Sequence, residues 1–124
     1  HLVSITTVGI PGILAFARHV LFYKSDAKRL GWETDRPDWM FEVGFANLSF
    51  GIISFIAFLL NLPLYAQAVI ILGYAIYLFQ ASLLHGYRYF TDSKRIRARF
   101  WRSCISTLIY SSMISFFAIR GLLL

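Results

Sequence analysis

Charged residues are scarce in this chain of 124 residues. They make up 15% of it, against roughly 25% in a soluble domain, and six of them are acidic. Hydrophobic residues make up 58%, and the mean hydropathy is +0.64. One cysteine, Cys104, excludes an intrachain disulfide, and its place in an apolar run predicts a buried, inert thiol. The composition therefore argues against a soluble globular domain and predicts an integral membrane protein.

Four apolar runs are each long enough to cross about 30 Å of hydrocarbon as a helix. We predict an all-α polytopic membrane protein in which four transmembrane helices form an antiparallel bundle, with residues 1–124 as a single domain. In the first run the basic residues follow the apolar segment, which is typical of a retained span and not of a signal peptide. The predicted spans are residues 2–23, 43–62, 64–85 and 103–124.

Breaker and capping residues add detail to these helices. Gly9, Pro11 and Gly12 should kink the first span, with the carbonyl that Pro11 frees satisfied by a hydroxyl or a neighbouring helix. Asp38 is the expected N-cap of the second span, and Asp92 or Ser93 should cap a helix that continues into the fourth. Because the turn at residues 61–65 is short, we expect spans two and three to form a hairpin at the packed centre of the bundle.

Basic residues concentrate in two connections. Four lie in residues 24–42 and six in residues 87–102, whereas the turn between spans two and three has none. By the positive-inside rule the two connections are cytoplasmic, so both termini should lie on the outer face of a bacterial inner membrane. Trp32 and Trp39 are expected at headgroup depth.

Several polar side chains should fall at one depth near the cytoplasmic ends of the spans. Glu42 and His85 lie at the open end of the predicted hairpin, at similar distances from its turn, so we expect them to interact directly or through water. Such groups either fix helix ends at the interface or bind a ligand or ion. The candidate ligand-binding residues are Arg18, His19, Glu42, Asn47, Tyr77 and His85.

Metal and haem sites have less support from the sequence. Two histidines and one carboxylate without local ligand spacing are a weak metal signal. A more specific form of the metal hypothesis is haem, with His19 and His85 facing each other across the bundle as axial ligands. We predict no metal and no cofactor.

Small residues form stripes at helical spacing. On the second span Gly44 and Gly51 belong to such a stripe, and Cys104 and Ser111 belong to another on the fourth. Close helix packing is the usual meaning of such a stripe, and a polar permeation path is the alternative.

Residues 94–102 are strongly basic. We predict a helix here at the cytoplasmic surface, in which Arg95, Arg99 and Arg102 share one face and contact anionic lipid headgroups. The alternative is that these arginines only enforce topology. A membrane-anchored segment this short does not favour nucleic-acid binding.

The segments 37–51 and 73–85 resemble an uncharacterised family of small bacterial four-helix membrane proteins, defined as a domain of unknown function. A more distant similarity connects the chain to DoxX-like four-helix proteins, some of which are associated with quinone oxidation. After the second segment the chain departs from the Asn/Gly/Pro-rich loop that such relatives tend to have. The matching positions are Glu42, Gly44, Ala46, Asn47, Gly51 and His85.

Two functions remain open from the sequence. No nucleophile with an adjacent base, phosphate-binding loop or metal-hydrolase motif is present, so the sequence leans away from an enzyme. The first prediction is an accessory subunit that packs against a membrane complex, lipid or another copy of itself. The second is a ligand-, quinone- or proton-binding or transport protein that uses Glu42, Asn47 and His85.

Overall fold

The computed structural model describes residues 2–32, 35–93, 96–97 and 99–123, and this part of the chain is helical without strands. Four of its helices are long and apolar enough to cross a membrane, and they expose many large apolar side chains, as a lipid-facing bundle requires. The all-α fold with four spans is therefore confirmed. The helices are α1 (Leu2–Leu21), α2 (Tyr23–Leu30), α3 (Asp38–Leu59), α4 (Leu64–Thr91) and α5 (Arg99–Leu122).

We call the end of the bundle that carries the connections 22–37 and 92–98 the basic end. At this end three helices extend beyond their predicted spans. Hydropathy detects only the hydrocarbon-crossing part, whereas backbone hydrogen bonding continues into the polar turns beyond it. Asp38 is not an N-cap: it is the first residue of α3, Pro37 precedes it, and no side chain caps this end. The cap predicted at Asp92 or Ser93 is not seen at Asp92, which is the C-cap of α4, and the residues that follow Ser93 lie partly outside the described ranges.

Helix α1 is irregular around its proline. A π-helical segment, Ile5–Gly9, lies just before Pro11, and the carbonyl of Thr7 is the one that would accept from residue 11 in a regular helix. The hydroxyl of Tyr110 on α5 donates to this carbonyl at 2.7 Å. The expectation that a neighbouring hydroxyl satisfies the freed carbonyl is confirmed.

The spans pack as two close pairs, α1 with α3 and α4 with α5. A Cβ atom added at Gly12 would lie 2.5 Å from the backbone oxygen of Asn47, so α1 and α3 approach almost backbone to backbone. At Gly86, such an atom would lie 3.1 Å from the sulfur of Cys104 on α5. Helices α3 and α4 contact each other less than either contacts its close partner, so the prediction that this hairpin is the packed centre is wrong.

The buried core joins the two pairs. Tyr74 and Ile71 on α4 pack there with Ile114 on α5 and Val8 on α1, and Phe50 on α3 lies against them. Towards the basic end this apolar core gives way to a cavity.

Candidate functional site

A cavity of about 830 Å³ lies at the basic end, and its lining comes from all four spans, from α2 and from the connection after α2. This volume is within the range of small-molecule sites. Its wall combines apolar side chains with hydrogen-bonding and charged groups. The polar and aromatic lining residues are Arg18, His19, Asp26, Arg29, Trp32, Trp39, Asn47, Tyr74, Tyr77, Gln80, His85, Arg102, Ser103 and Thr107.

A buried carboxylate, Asp26 on α2, organises one wall of the cavity. Its Oδ1 atom accepts hydrogen bonds from Arg18 at 2.9 Å and from Arg29 at 2.6 Å. The Nδ1 atom of His19 lies 3.1 Å from Oδ2, without the alignment of a hydrogen bond. Burial by itself would raise the pKa of Asp26, but the contact with His19 and the hydrogen bonds from Arg29 and Arg18 outweigh it and hold this pKa well below its ordinary value. Asp26 is therefore an ionised carboxylate that fixes α2 across the end of α1.

Aromatic rings form a second wall. The indole of Trp32 stacks on His19 with centroids 6.1 Å apart and on His85 with centroids 5.7 Å apart. The ring of Trp39 contacts Trp32 edge-on at 4.7 Å. An iron held between the two histidines would require this indole to leave, so the arrangement does not fit axial haem ligation. The described residues also contain no group of three or more side chains that could hold a metal ion.

The inner end of the cavity is a hydrogen-bonded group on α3 and α4. The side-chain nitrogen of Asn47 donates to the Val43 carbonyl at 2.8 Å and to the Tyr77 hydroxyl at 2.9 Å. The Tyr74 hydroxyl donates to the side-chain oxygen of Asn47 at 3.0 Å. Among the described residues, the only acceptor for the proton of the Tyr77 hydroxyl is the Val43 carbonyl, at 3.5 Å, which is at the limit of a hydrogen bond.

Two donors therefore face the cavity without a strong partner. They are the hydroxyl of Tyr77, whose contact with the Val43 carbonyl is at the limit of a hydrogen bond, and the imidazole of His85, which forms no hydrogen bond within the described part of the chain. Both are positioned to donate to a bound molecule.

The structure brings five of the six predicted ligand-binding residues to this cavity and leaves Glu42 outside it. Glu42 is exposed, and its expected contact with His85 is absent: within the described ranges, Glu42 forms no ion pair. The reason is helix rotation, since Asn47 turns inward on α3 and Glu42 then points outward. A functional role for Glu42 stays a prediction.

Sequence reasoning missed Asp26 and placed Trp32 only at headgroup depth. The spacing of Asp26 and Arg29 is a local signal for an ion pair, but it is equally typical of a solvated helix face. That α2 folds back under the bundle follows from tertiary contacts that hydropathy does not register.

Arg99 does not form the predicted lipid-facing surface. Its guanidinium is buried, donates to the Leu30 carbonyl at 2.9 Å and pairs with Asp92. Gly31 ends α2 in the left-handed conformation, with φ 66°, and a cation at this helix end satisfies the final carbonyls. Arg95 lies outside the described residues, and Arg102 lines the cavity, so the prediction of one lipid-binding face is wrong for Arg99.

The predicted packing residues lie against α1. A Cβ atom at Gly44 would lie 2.5 Å from Val20, and one at Gly51 would lie 3.2 Å from the Gly9 carbonyl. Their small size allows α1 and α3 to approach.

These observations define a class: a small all-α protein with four candidate membrane spans around a polar, aromatic cavity at one end. Residues 1–119 match a family of unknown function, DUF6790, and the chain belongs to this family. No curated protein and no solved structure matches the chain.

Proposed function

We propose that this protein binds a small, planar, membrane-soluble molecule in the cavity, as a binding or transport protein. The observation that carries the proposal is the cavity itself, in which two donors on α4 without a strong partner, the Tyr77 hydroxyl and the His85 imidazole, lie beside stacked aromatic rings. Aromatic side chains in the wall favour a flat, apolar body, and donors favour acceptor oxygens on it. Quinones combine these properties.

The proposed location is the inner membrane of a bacterium, with the basic end and its cavity on the cytoplasmic side and both termini outside. The distribution of basic residues supports this orientation. A ligand that partitions into the membrane would then reach the cavity from the inner leaflet or the cytoplasm.

Intrinsic fluorescence tests the proposal, because Trp32 lines the cavity, whereas Trp101 is exposed on α5 and does not line it. Two single-tryptophan variants, one keeping Trp32 and the other Trp101, are titrated in detergent with a decyl-substituted benzoquinone. We expect saturable quenching of Trp32 and only weak, linear quenching of Trp101. Adding Tyr77→Phe should weaken binding about fivefold, the value of one hydrogen bond. Equal, unsaturable quenching of both tryptophans would refute the proposal.

The accessory-subunit prediction remains the second candidate. The exposed apolar faces of the spans support it, but Gly44 and Gly51 already pack within the chain and offer no free small-residue face. Purification in mild detergent followed by mass spectrometry tests it. A stoichiometric protein partner would support this role.

A further inference from the structure

We infer that the ligand of this cavity is an organic anion, whose carboxylate or other anionic oxygen group binds at the arginines of the cavity wall. The inference rests on the proposed function and names the charge of its ligand. It distinguishes an aromatic acid from a neutral quinone.

The charges in the cavity do not balance. Among its described lining residues are three arginines, Arg18, Arg29 and Arg102, and one carboxylate, Asp26, which leaves a net charge of +2 with the histidines neutral. Asp26 uses a single oxygen, Oδ1, for both Arg18 and Arg29. One carboxylate thus neutralises only one of two guanidinium groups.

Arg102 adds a second unbalanced charge, from α5. It comes from the first turn of α5, is exposed, and has no ion-pair partner in the part of the chain that the structure describes. Arg99, by contrast, pairs with Asp92 and donates to the Leu30 carbonyl. A guanidinium without a partner beside a membrane cavity favours an anion with planar oxygens, which can accept two parallel hydrogen bonds.

The rest of the wall limits the body of this anion. Trp32 and Trp39 present rings, and Val43, Leu78 and Leu84 present apolar side chains. A flat hydrocarbon body would lie against them while its charged group stays at the arginines. The chemistry common to the possible ligands is an anionic oxygen group on an apolar body, which a free aromatic acid and an acidic lipid both provide.

Equilibrium dialysis of the full chain in phosphatidylcholine nanodiscs tests the inference with a matched pair, 2-naphthoate and its neutral amide. We expect naphthoate to bind about tenfold more tightly than naphthamide, since a hydrogen bond to a charged group exceeds a neutral one by about this factor. Arg102→Gln should reduce naphthoate binding about tenfold and leave naphthamide unchanged. Arg120→Gln, an exposed arginine near the other end of α5, is the matched control and should change neither.

For a second variant we expect tighter binding of naphthoate, the opposite of the effect of Arg102→Gln. Asp26→Asn removes the competing carboxylate, so naphthoate should bind more tightly if the variant keeps its helical circular dichroism. Repeating the dialysis in phosphatidylglycerol nanodiscs separates the sources: unchanged naphthoate affinity indicates a free acid, and competition indicates a lipid headgroup at the arginines.

Either result in phosphatidylglycerol supports an anionic ligand. Equal binding of naphthoate and naphthamide, or equal effects of Arg102→Gln and Arg120→Gln, would overturn the inference while the proposed function stands. Failure of both probes, together with unsaturable quenching of Trp32 by the quinone, would overturn the proposed function itself.

Discussion

Replacing Arg99 with methionine should release α2 from the cavity while the helical bundle stays folded. Methionine keeps an apolar stem of similar length and removes the guanidinium. The variant loses the hydrogen bond to the Leu30 carbonyl and the ion pair with Asp92, whose side chain is 33% exposed. The weaker bond to the Gly31 carbonyl, at 3.4 Å, adds little.

The expected cost follows from these contacts. A hydrogen bond from a charged group contributes about 2 kcal/mol, and a partly exposed ion pair contributes at most about 1 kcal/mol. The free energy of unfolding should therefore fall by about 3 kcal/mol. Because Trp32 follows the released end of α2, its quenching by acrylamide should also increase.

Unfolding by sodium dodecyl sulfate in mixed micelles, followed by circular dichroism, measures the first effect, and acrylamide quenching of a variant that keeps only Trp32 measures the second. Arg97→Met is the control, because Arg97 is exposed two residues away and its loss should cost less than about 0.5 kcal/mol. Equal stability of the Arg99 and Arg97 variants would refute the role of Arg99 in holding α2.

Three further predictions concern packing, pH and hydrogen bonding. Gly12→Ala should lower the free energy of unfolding by about 1–3 kcal/mol, because the added Cβ atom meets a backbone oxygen. The control is Gly73→Ala, where the nearest atom to the added Cβ lies at 3.5 Å. In the same detergent titration its free energy of unfolding should change by less than about 1 kcal/mol. The depressed pKa of Asp26 stabilises the fold above the ordinary carboxyl pKa of about 3.9, and this contribution is lost as pH falls towards the lower folded-state value. Thermal unfolding of the wild type should therefore show a steeper acid dependence than that of Asp26→Asn, and identical profiles would contradict this. Tyr74→Phe should lower the free energy of unfolding by about 1–2 kcal/mol, because the buried side-chain oxygen of Asn47 loses its donor. The control Tyr65→Phe, at an exposed position, should change the unfolding midpoint little.

The sequence predicts what depends on local pattern. Four spans follow from hydropathy, and the compensation at Pro11 follows from the need to satisfy a freed carbonyl. Asn47 and Tyr77, both predicted as ligand-binding residues, lie together at the cavity. These features depend on residues within one helix or on general rules of the membrane interior.

What the sequence does not predict depends on how the helices rotate and pair. Glu42 lies only five residues before Asn47, yet that spacing places it on another side of α3, which a depth argument does not detect. The pairing of α1 with α3 depends on small residues in two helices at once, Gly12 and Gly51. In the sequence Arg99 resembles the other arginines of its basic segment. Only the fold, which places the end of α2 beside it, distinguishes it from them.

The hydrogen bond between Arg99 and Leu30 also sets an order of assembly during synthesis. The two residues are 69 positions apart, so the ribosome completes Arg99 on the order of 10 s after Leu30. During that interval α2 can reach Arg18 and His19, which precede it, but the bond from Arg99 to its last turn is missing. The cavity is thus completed only when the final span begins to enter the membrane, and a chain truncated before α5 would leave α2 without this bond and the cavity without Arg102.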